Sequence, residues 1–163
     1  MKSNSKKCIF AGTFDPITNG HVDIINRSSK LFDKVLVAVS YHKKNSIFSF
    51  EERISFCKKA TLKIKNVSVI GFKGLTSKLS KKKKINVFVR GLRNIFDFQK
   101  ELELFRINSS LKSNIETIIL FSSRKYSILS SSLVKEIVLN NGIADNFLPI
   151  PLSKEIKRRL LKN

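Results

Sequence analysis

Apolar and polar positions follow two rhythms along this chain. Short runs rich in valine, isoleucine and phenylalanine at 7–11, 34–40, 66–72, 86–89 and 116–121 have the length and composition of strands. Between them the apolar spacing widens to that of helices. A first helix over 20–32 puts Val22, Ile25, Ser29 and Phe32 on one face. A second begins at Ser49, which makes a capping box with Glu52, and carries Phe50, Ile54, Cys57, Thr61 and Ile64 as its stripe. Further helices are predicted over 76–82, 96–111 and 131–140, the last with Gly142 as its C-cap, and a basic helix closes the chain. The helix over 96–111 has more apolar surface than one sheet needs. Phe98, Leu102 and Phe105 suffice to cover it; Leu104, Ile107 and Leu111 form a second set that predicts burial against another subunit.

Strands alternating with helices predict an α/β fold with a parallel sheet, right-handed crossovers and helices on both faces. Such sheets bind ligands beyond the carboxyl ends of their strands, near the point where strand order reverses. No repeat or Pro/Gly/Ser linker interrupts the pattern, so residues 1–163 read as one domain.

Composition narrows the class. The basic start is followed by only four apolar residues, and no run approaches the roughly 20 of a membrane span, which predicts a cytoplasmic protein without a membrane partner. Two cysteines far apart and only two histidines argue for core thiols and against a zinc site. The formal charge of +20 attracts anions in general, nucleic acid included. However, the phenylalanines mostly sit at core positions, as in Val87-Phe88-Val89, rather than beside basic stripes as stacking platforms. Lys81 to Lys84 and the C-terminal basic helix then read as solvated faces, and nucleic acid is not expected as a partner.

Chemistry concentrates at Gly12-Thr13-Phe14-Asp15-Pro16-Ile17-Thr18-Asn19-Gly20-His21, between the first strand and first helix. Free amides and the positive end of the helix dipole converge there, as a phosphate group requires. His21 falls in the first helical turn, and Gly20 removes a side chain where a ligand approaches. Arg90 and Arg93 flank Gly91 directly after the fourth strand, in a spacing that suits two-point phosphate recognition. Ser130, Ser131 and Ser132 stand before an apolar helix and offer both a cap and hydroxyls for a polyphosphate. No Ser-His-Asp or Cys-His pattern supplies a protein nucleophile.

Thr18-Asn19-Gly20-His21 resembles the T/HxGH signature of the nucleotidyltransferase superfamily. The longer GTFDPITNGH, together with Arg90-Gly91-Leu92-Arg93 and the segment from Ile128 to Lys135, is similar to bacterial phosphopantetheine adenylyltransferases, in order from about Cys8 to Pro149. The resemblance implies a Rossmann-like five-stranded sheet of order 3-2-1-4-5. It also implies transfer of adenylate from ATP to 4′-phosphopantetheine, giving dephospho-coenzyme A and pyrophosphate in coenzyme A biosynthesis. The attack is in line, without a covalent enzyme intermediate, with Mg²⁺ on the polyphosphate and a homohexameric assembly. Position by position, His21, Lys44 and Arg93 match catalytic residues, with Lys43 a rival to Lys44 because the loop is one residue short. Thr13, Phe14, His21, Gly91, Leu92, Arg93, Glu101 and the stretch Tyr126, Ser127, Ile128, Leu129, Ser130, Ser131 and Ser132 match ATP contacts. Thr13, Lys44, Thr76 and Arg90 match positions on the pantetheine substrate, and no protein metal ligand is implied. The sequence departs from the pattern at Ala11 and at Asn45-Ser46, where proline is common, and at Tyr126, where tryptophan is frequent. Other adenylyl- and cytidylyltransferases share the histidine loop but not the RGLR segment in this setting. A basic nucleic-acid-binding module and an inactive assembly protein are the readings from other classes.

Overall fold

The computed structural model describes residues 5–41, 46–111 and 114–161. Five strands are present: β1 (Lys7–Gly12), β2 (Lys34–Ser40), β3 (Val67–Phe72), β4 (Val87–Leu92) and β5 (Glu116–Phe121). They pair in the order β3-β2-β1-β4-β5, all parallel, as the resemblance implied. The helices are α1 (Asn19–Leu31), α2 (Phe50–Thr61), α3 (Thr76–Lys83), α4 (Ile95–Leu111), α5 (Ser131–Leu139) and α6 (Ser153–Leu160).

Side-chain alternation along the central strands divides the core in two. Cys8, Phe10, Val35, Val37 and Val39 face α1, α2, α5 and α6, whose Ile25, Phe56, Val134 and Ile156 are all enclosed. Ile9, Ala11, Leu36, Ala38 and Phe88 face the other way, into a smaller cluster with Leu79 of α3. Both cysteines are enclosed, and burial pushes the Cys8 thiol up to about 12, so they act as core thiols.

Four expectations shift. β4 does not stop at residue 89 but runs to Leu92, because Arg90, Gly91 and Leu92 keep their parallel register with Ile119, Leu120 and Phe121. Arg90 and Gly91 therefore belong to the strand, and only Arg93 follows it. The inward face of α1 centres on Ile24, Ile25 and Ser28 rather than Ser29, with the Ser28 hydroxyl donating to the Ile24 carbonyl. At the end of α5 the left-handed residue is Asn141 (φ 59°), and Gly142 follows it, closing a Schellman motif with its amide on the Ile137 carbonyl at 2.7 Å. On α4 the stripe expected to cover the sheet is not enclosed: Phe98 is 40% and Phe105 36% exposed, and Asn108 is the helix's one buried residue among those described. The helix leans on β4 and α3 while much of its apolar surface faces outward.

Candidate active site

The histidine signature has a physical basis in its spacing. Thr18 is the N-cap of α1 and His21 its third residue, so the two stand in the relation of a capping box. The Thr18 hydroxyl accepts from the His21 amide at 3.4 Å, and the Thr18 amide donates to Nδ1 of His21 at 3.0 Å. Nδ1 is therefore an acceptor, which assigns the ring proton to Nε2. Burial, reinforced by the positive charge of Arg93, lowers the His21 pKa to about 4, so the ring is neutral at physiological pH. A neutral imidazole with a fixed Nε2–H is a hydrogen-bond donor, not a base. Asn19, the first residue of the helix, ties it to the chain near the C-terminus. Its side-chain amide donates to the carbonyls of Asn146 and Leu148, and its backbone amide to that of Phe147.

Upstream, Phe14 adopts a left-handed backbone (φ 52°), which costs a non-glycine residue about 1–2 kcal/mol. Its ring is 2% exposed and meets Phe10 and His21 edge-on, with centroids 5.5 and 5.1 Å apart; burial of that size contributes about 2–3 kcal/mol. Gly12 lies beneath it, where a Cβ would come within 3.1 Å of the Phe14 ring. At Gly20 a Cβ would meet only ordinary contacts at 3.6 Å, so packing does not demand glycine there and the open space belongs to the cavity.

This cavity, of about 350 Å³, opens at the carboxyl ends of β1 and β4, where the strand order reverses. The N-termini of α1 and α5 both reach it. Ser130 caps α5 by accepting from the Leu133 amide at 3.0 Å, and the Ser131 hydroxyl donates to the Pro16 carbonyl at 2.8 Å, locking the two helix starts together.

The two arginines arrive with carboxylate partners from α4. Arg93 forms a two-point pair with Asp97, Nε to Oδ2 and Nη2 to Oδ1 at 2.8 Å each, and Nη1 donates to the Leu129 carbonyl. Burial opposes the Asp97 charge, but the hydrogen bonds from Arg93 outweigh it and hold the carboxyl below the usual carboxylate range. Arg90 pairs through Nε with Glu101 at 3.0 Å and donates through Nη1 to the Ala11 carbonyl. Burial acts against the charge on both members of that pair, lowering the arginine and raising the glutamate, while their attraction opposes the shift.

Of the residues singled out from the sequence, Phe14, His21, Arg90, Gly91, Arg93, Glu101, Tyr126, Leu129, Ser130, Ser131 and Ser132 line this one cavity. Thr13, Leu92, Ser127, Ile128 and Thr76 do not. Leu92 is buried, Ile128 is 75% exposed, Ser127 caps the turn before it, and Thr76 donates to Asn108 at the start of α3. Lys43 and Lys44 lie outside the described residues. The wall also contains Asp97 and Lys100, which sequence reasoning missed. Asp97 stands four residues after Arg93, the spacing of a helical ion pair, but that signal is readable only if the helix includes its first turn.

Comparison with known proteins agrees with this geometry. The cytidylyltransferase-like family matches residues 9–137. The phosphopantetheine adenylyltransferase of Wigglesworthia glossinidia brevipalpis is 44% identical over 164 residues, 98% of each chain. That of Campylobacter fetus subsp. fetus is 46% identical over 157 residues, covering 96% of this chain and 99% of its own. A solved Vibrio parahaemolyticus chain assigned as a nicotinate-nucleotide adenylyltransferase superposes with a TM-score of 0.73, over 98% of this chain and 97% of that one. At 17% identity that likeness is one of fold alone. With identities of 44% and 46% spread over nearly its whole length, this chain belongs to the phosphopantetheine adenylyltransferase family.

Proposed function

We propose that this chain, acting as a single domain in the cytoplasm, transfers adenylate from ATP to 4′-phosphopantetheine, releasing pyrophosphate and forming dephospho-coenzyme A. The observation that carries this reading is the meeting of two helix N-termini, a neutral histidine and two arginines at one strand-order switch point. That set stabilises anions and offers no protein nucleophile, as direct transfer between two phosphate groups requires.

The acceptor phosphate attacks the α-phosphorus in line, and pyrophosphate leaves from the opposite side. His21 donates Nε2–H to an oxygen of the α-phosphate, a bond that strengthens as charge builds there. Arg93, Gly91, Tyr126, Leu129 and Ser130 to Ser132 hold the nucleotide from the cavity wall, the serines and the α5 dipole on its phosphates. Glu101 keeps Arg90 oriented at the acceptor phosphate, beside Thr13 and the loop lysine, Lys44 or Lys43. Phe14 contributes on the nucleotide side and Thr76 on the pantetheine side. Asp97 and Glu101 are committed to arginines, and no cluster of three or more metal-ligating side chains occurs among the described residues. Mg²⁺ fits here as an ion carried on the ATP phosphates with water, neutralising charge on the leaving pyrophosphate.

Self-association is the second part of the proposal. Ile95 and Phe98 of α4 and Ile119 and Phe121 of β5 line an apolar groove on the face opposite α1. With Phe96 and Ile107 also outward, this flank is the surface for further copies of the chain, in the hexamer that the family resemblance implies. Among the described residues no helix is long and apolar enough to cross a membrane.

Incubation with ATP, Mg²⁺ and 4′-phosphopantetheine tests the reading. Pyrophosphate release should depend on the acceptor and match dephospho-coenzyme A formed; release without acceptor, or none, would refute it.

A further inference from the structure

Arg53 heads the largest fully enclosed side chains, 1% exposed, and the chemistry above makes no use of it. It lies in α2, off the cavity wall. Its Nη1 donates to the carbonyls of Thr13 at 2.7 Å and Ser40 at 2.9 Å, and its Nε to that of Phe48 at 3.3 Å. Asp15, also buried, supplies compensating charge beside it. The Asp15 oxygens accept from the amides of Ile47 and Phe48 and from Lys135. One guanidinium thus joins the end of β2, the approach to α2 and the loop after β1.

The Thr13 carbonyl belongs to the peptide that leads into Phe14, the left-handed residue. That peptide is trans, so its carbonyl and its N–H point in opposite directions. The carbonyl is held by Arg53; the Phe14 amide has no partner among the described residues. Phe14 lines the cavity and Arg53 does not. We infer that Arg53 is a positioning residue that holds the Thr13 carbonyl and so presents the Phe14 amide to a phosphate in the cavity.

A left-handed non-glycine residue persists only where its surroundings over-determine it. Here the two halves of that constraint separate. The ring of Phe14 is fixed by Gly12, Phe10 and His21, while the peptide before it is fixed by Arg53. A planar guanidinium reaches three carbonyls from three segments, which the single ammonium of a lysine cannot reproduce.

The inference rests on reading the cavity as a phosphate-transfer site, and the test separates the two. Thr13-Phe14 is the only Thr-Phe step in the chain, so carbonyl-¹³C threonine with ¹⁵N phenylalanine isolates one amide signal. In the unaltered protein, inorganic pyrophosphate should shift that amide proton downfield, whereas adenosine should not. Arg53→Lys should reduce the shift, weaken pyrophosphate binding and lower kcat by about 10- to 100-fold, with adenosine affinity within about twofold of the parent. An unresponsive Phe14 amide in the unaltered protein overturns the inference even if the variant does not fold. So does a folded Arg53→Lys enzyme within about threefold of parental kcat, or equal weakening of adenosine and pyrophosphate. Failure of the unaltered enzyme to turn over ATP with 4′-phosphopantetheine would instead refute the functional reading.

Discussion

The corner where β1 turns into α1 and the flank made by α4 and β5 are built to opposite rules. At the corner, Phe14, Ile17, Thr18 and Arg53 are each no more than 2% exposed. Many polar groups there are matched: the capping box closes the start of α1, and the Asn19 ties and the Arg53 contacts satisfy backbone carbonyls of other segments. At the flank, Phe96 is 68% and Phe121 75% exposed, and β5 is an edge strand. One region is finished by a single chain; the other presents the kind of surface that oligomers bury. They meet at the cavity wall, where Arg90 and Arg93 from the end of β4 are paired with Glu101 and Asp97 of α4. The proposed chemistry is thus anchored in the finished region and flanked by the one whose apolar side chains stay exposed.

Breaking the corner should have the largest effect. His21→Ala is expected to lower kcat by roughly 10²–10³ or more, with ATP affinity changed far less, because the lost donor acts mainly on the transition state. Steady-state rates and nucleotide binding measured together check this; intact kcat with weakened ATP binding would place His21 in simple binding. At the seam, Arg90→Ala should raise KM for 4′-phosphopantetheine at least about tenfold, as loss of a charge-assisted phosphate contact does, and unphosphorylated pantetheine should be a very poor acceptor. If Lys43→Ala is crippled and Lys44→Ala is not, the loop lysine is Lys43.

On the flank, Phe121→Glu should dissociate the assembly at micromolar concentration while leaving the chain folded, read by sedimentation and thermal melting. An unaltered protein that sediments as an active 18.6 kDa monomer would remove the contrast altogether. The smallest effect is one of pH. With its pKa near about 4 against an ordinary 6.5, His21 should leave activity flat from about pH 8 to pH 5. Between those two values the unfolded chain binds a proton that the folded chain refuses. His21 therefore makes stability decline as pH falls from about 6.5 through about 4, with no further dependence above or below. Histidine ¹⁵N NMR should show a proton on Nε2 and a midpoint near 4; a midpoint near 6.5 would contradict the half-buried, neutral ring.

The same contrast explains what was legible in the sequence. The bounds of β2 and β5 were readable to the residue because β2 is an apolar run between Lys34 and Ser40, and β5 runs apolar from Ile118 to Phe121 after Glu116-Thr117 and stops before Ser122. β4 was cut short because arginine and glycine do not resemble strand residues, and its last three are held by pairing with β5, a long-range fact. Phe14, His21, Arg90 and Arg93 stood out through local motifs, and the fold brings them to one cavity. Asp97 and Lys100 lacked such a motif, and Arg53 resembled any solvated helix arginine until three carbonyls from separate segments closed around it. On α4 the excess of apolar residues was visible, but periodicity does not say which stripe meets the sheet. In the single chain neither is enclosed.

The central claim is that this corner stabilises a phosphoryl group during one direct displacement. Turnover of ATP made chiral at the α-phosphorus with sulfur and an oxygen isotope, using 4′-phosphopantetheine as acceptor, tests it most directly. A single in-line attack predicts inverted configuration at phosphorus in the dephospho-coenzyme A formed; retained configuration would reveal two displacements through a covalent enzyme intermediate and contradict the account.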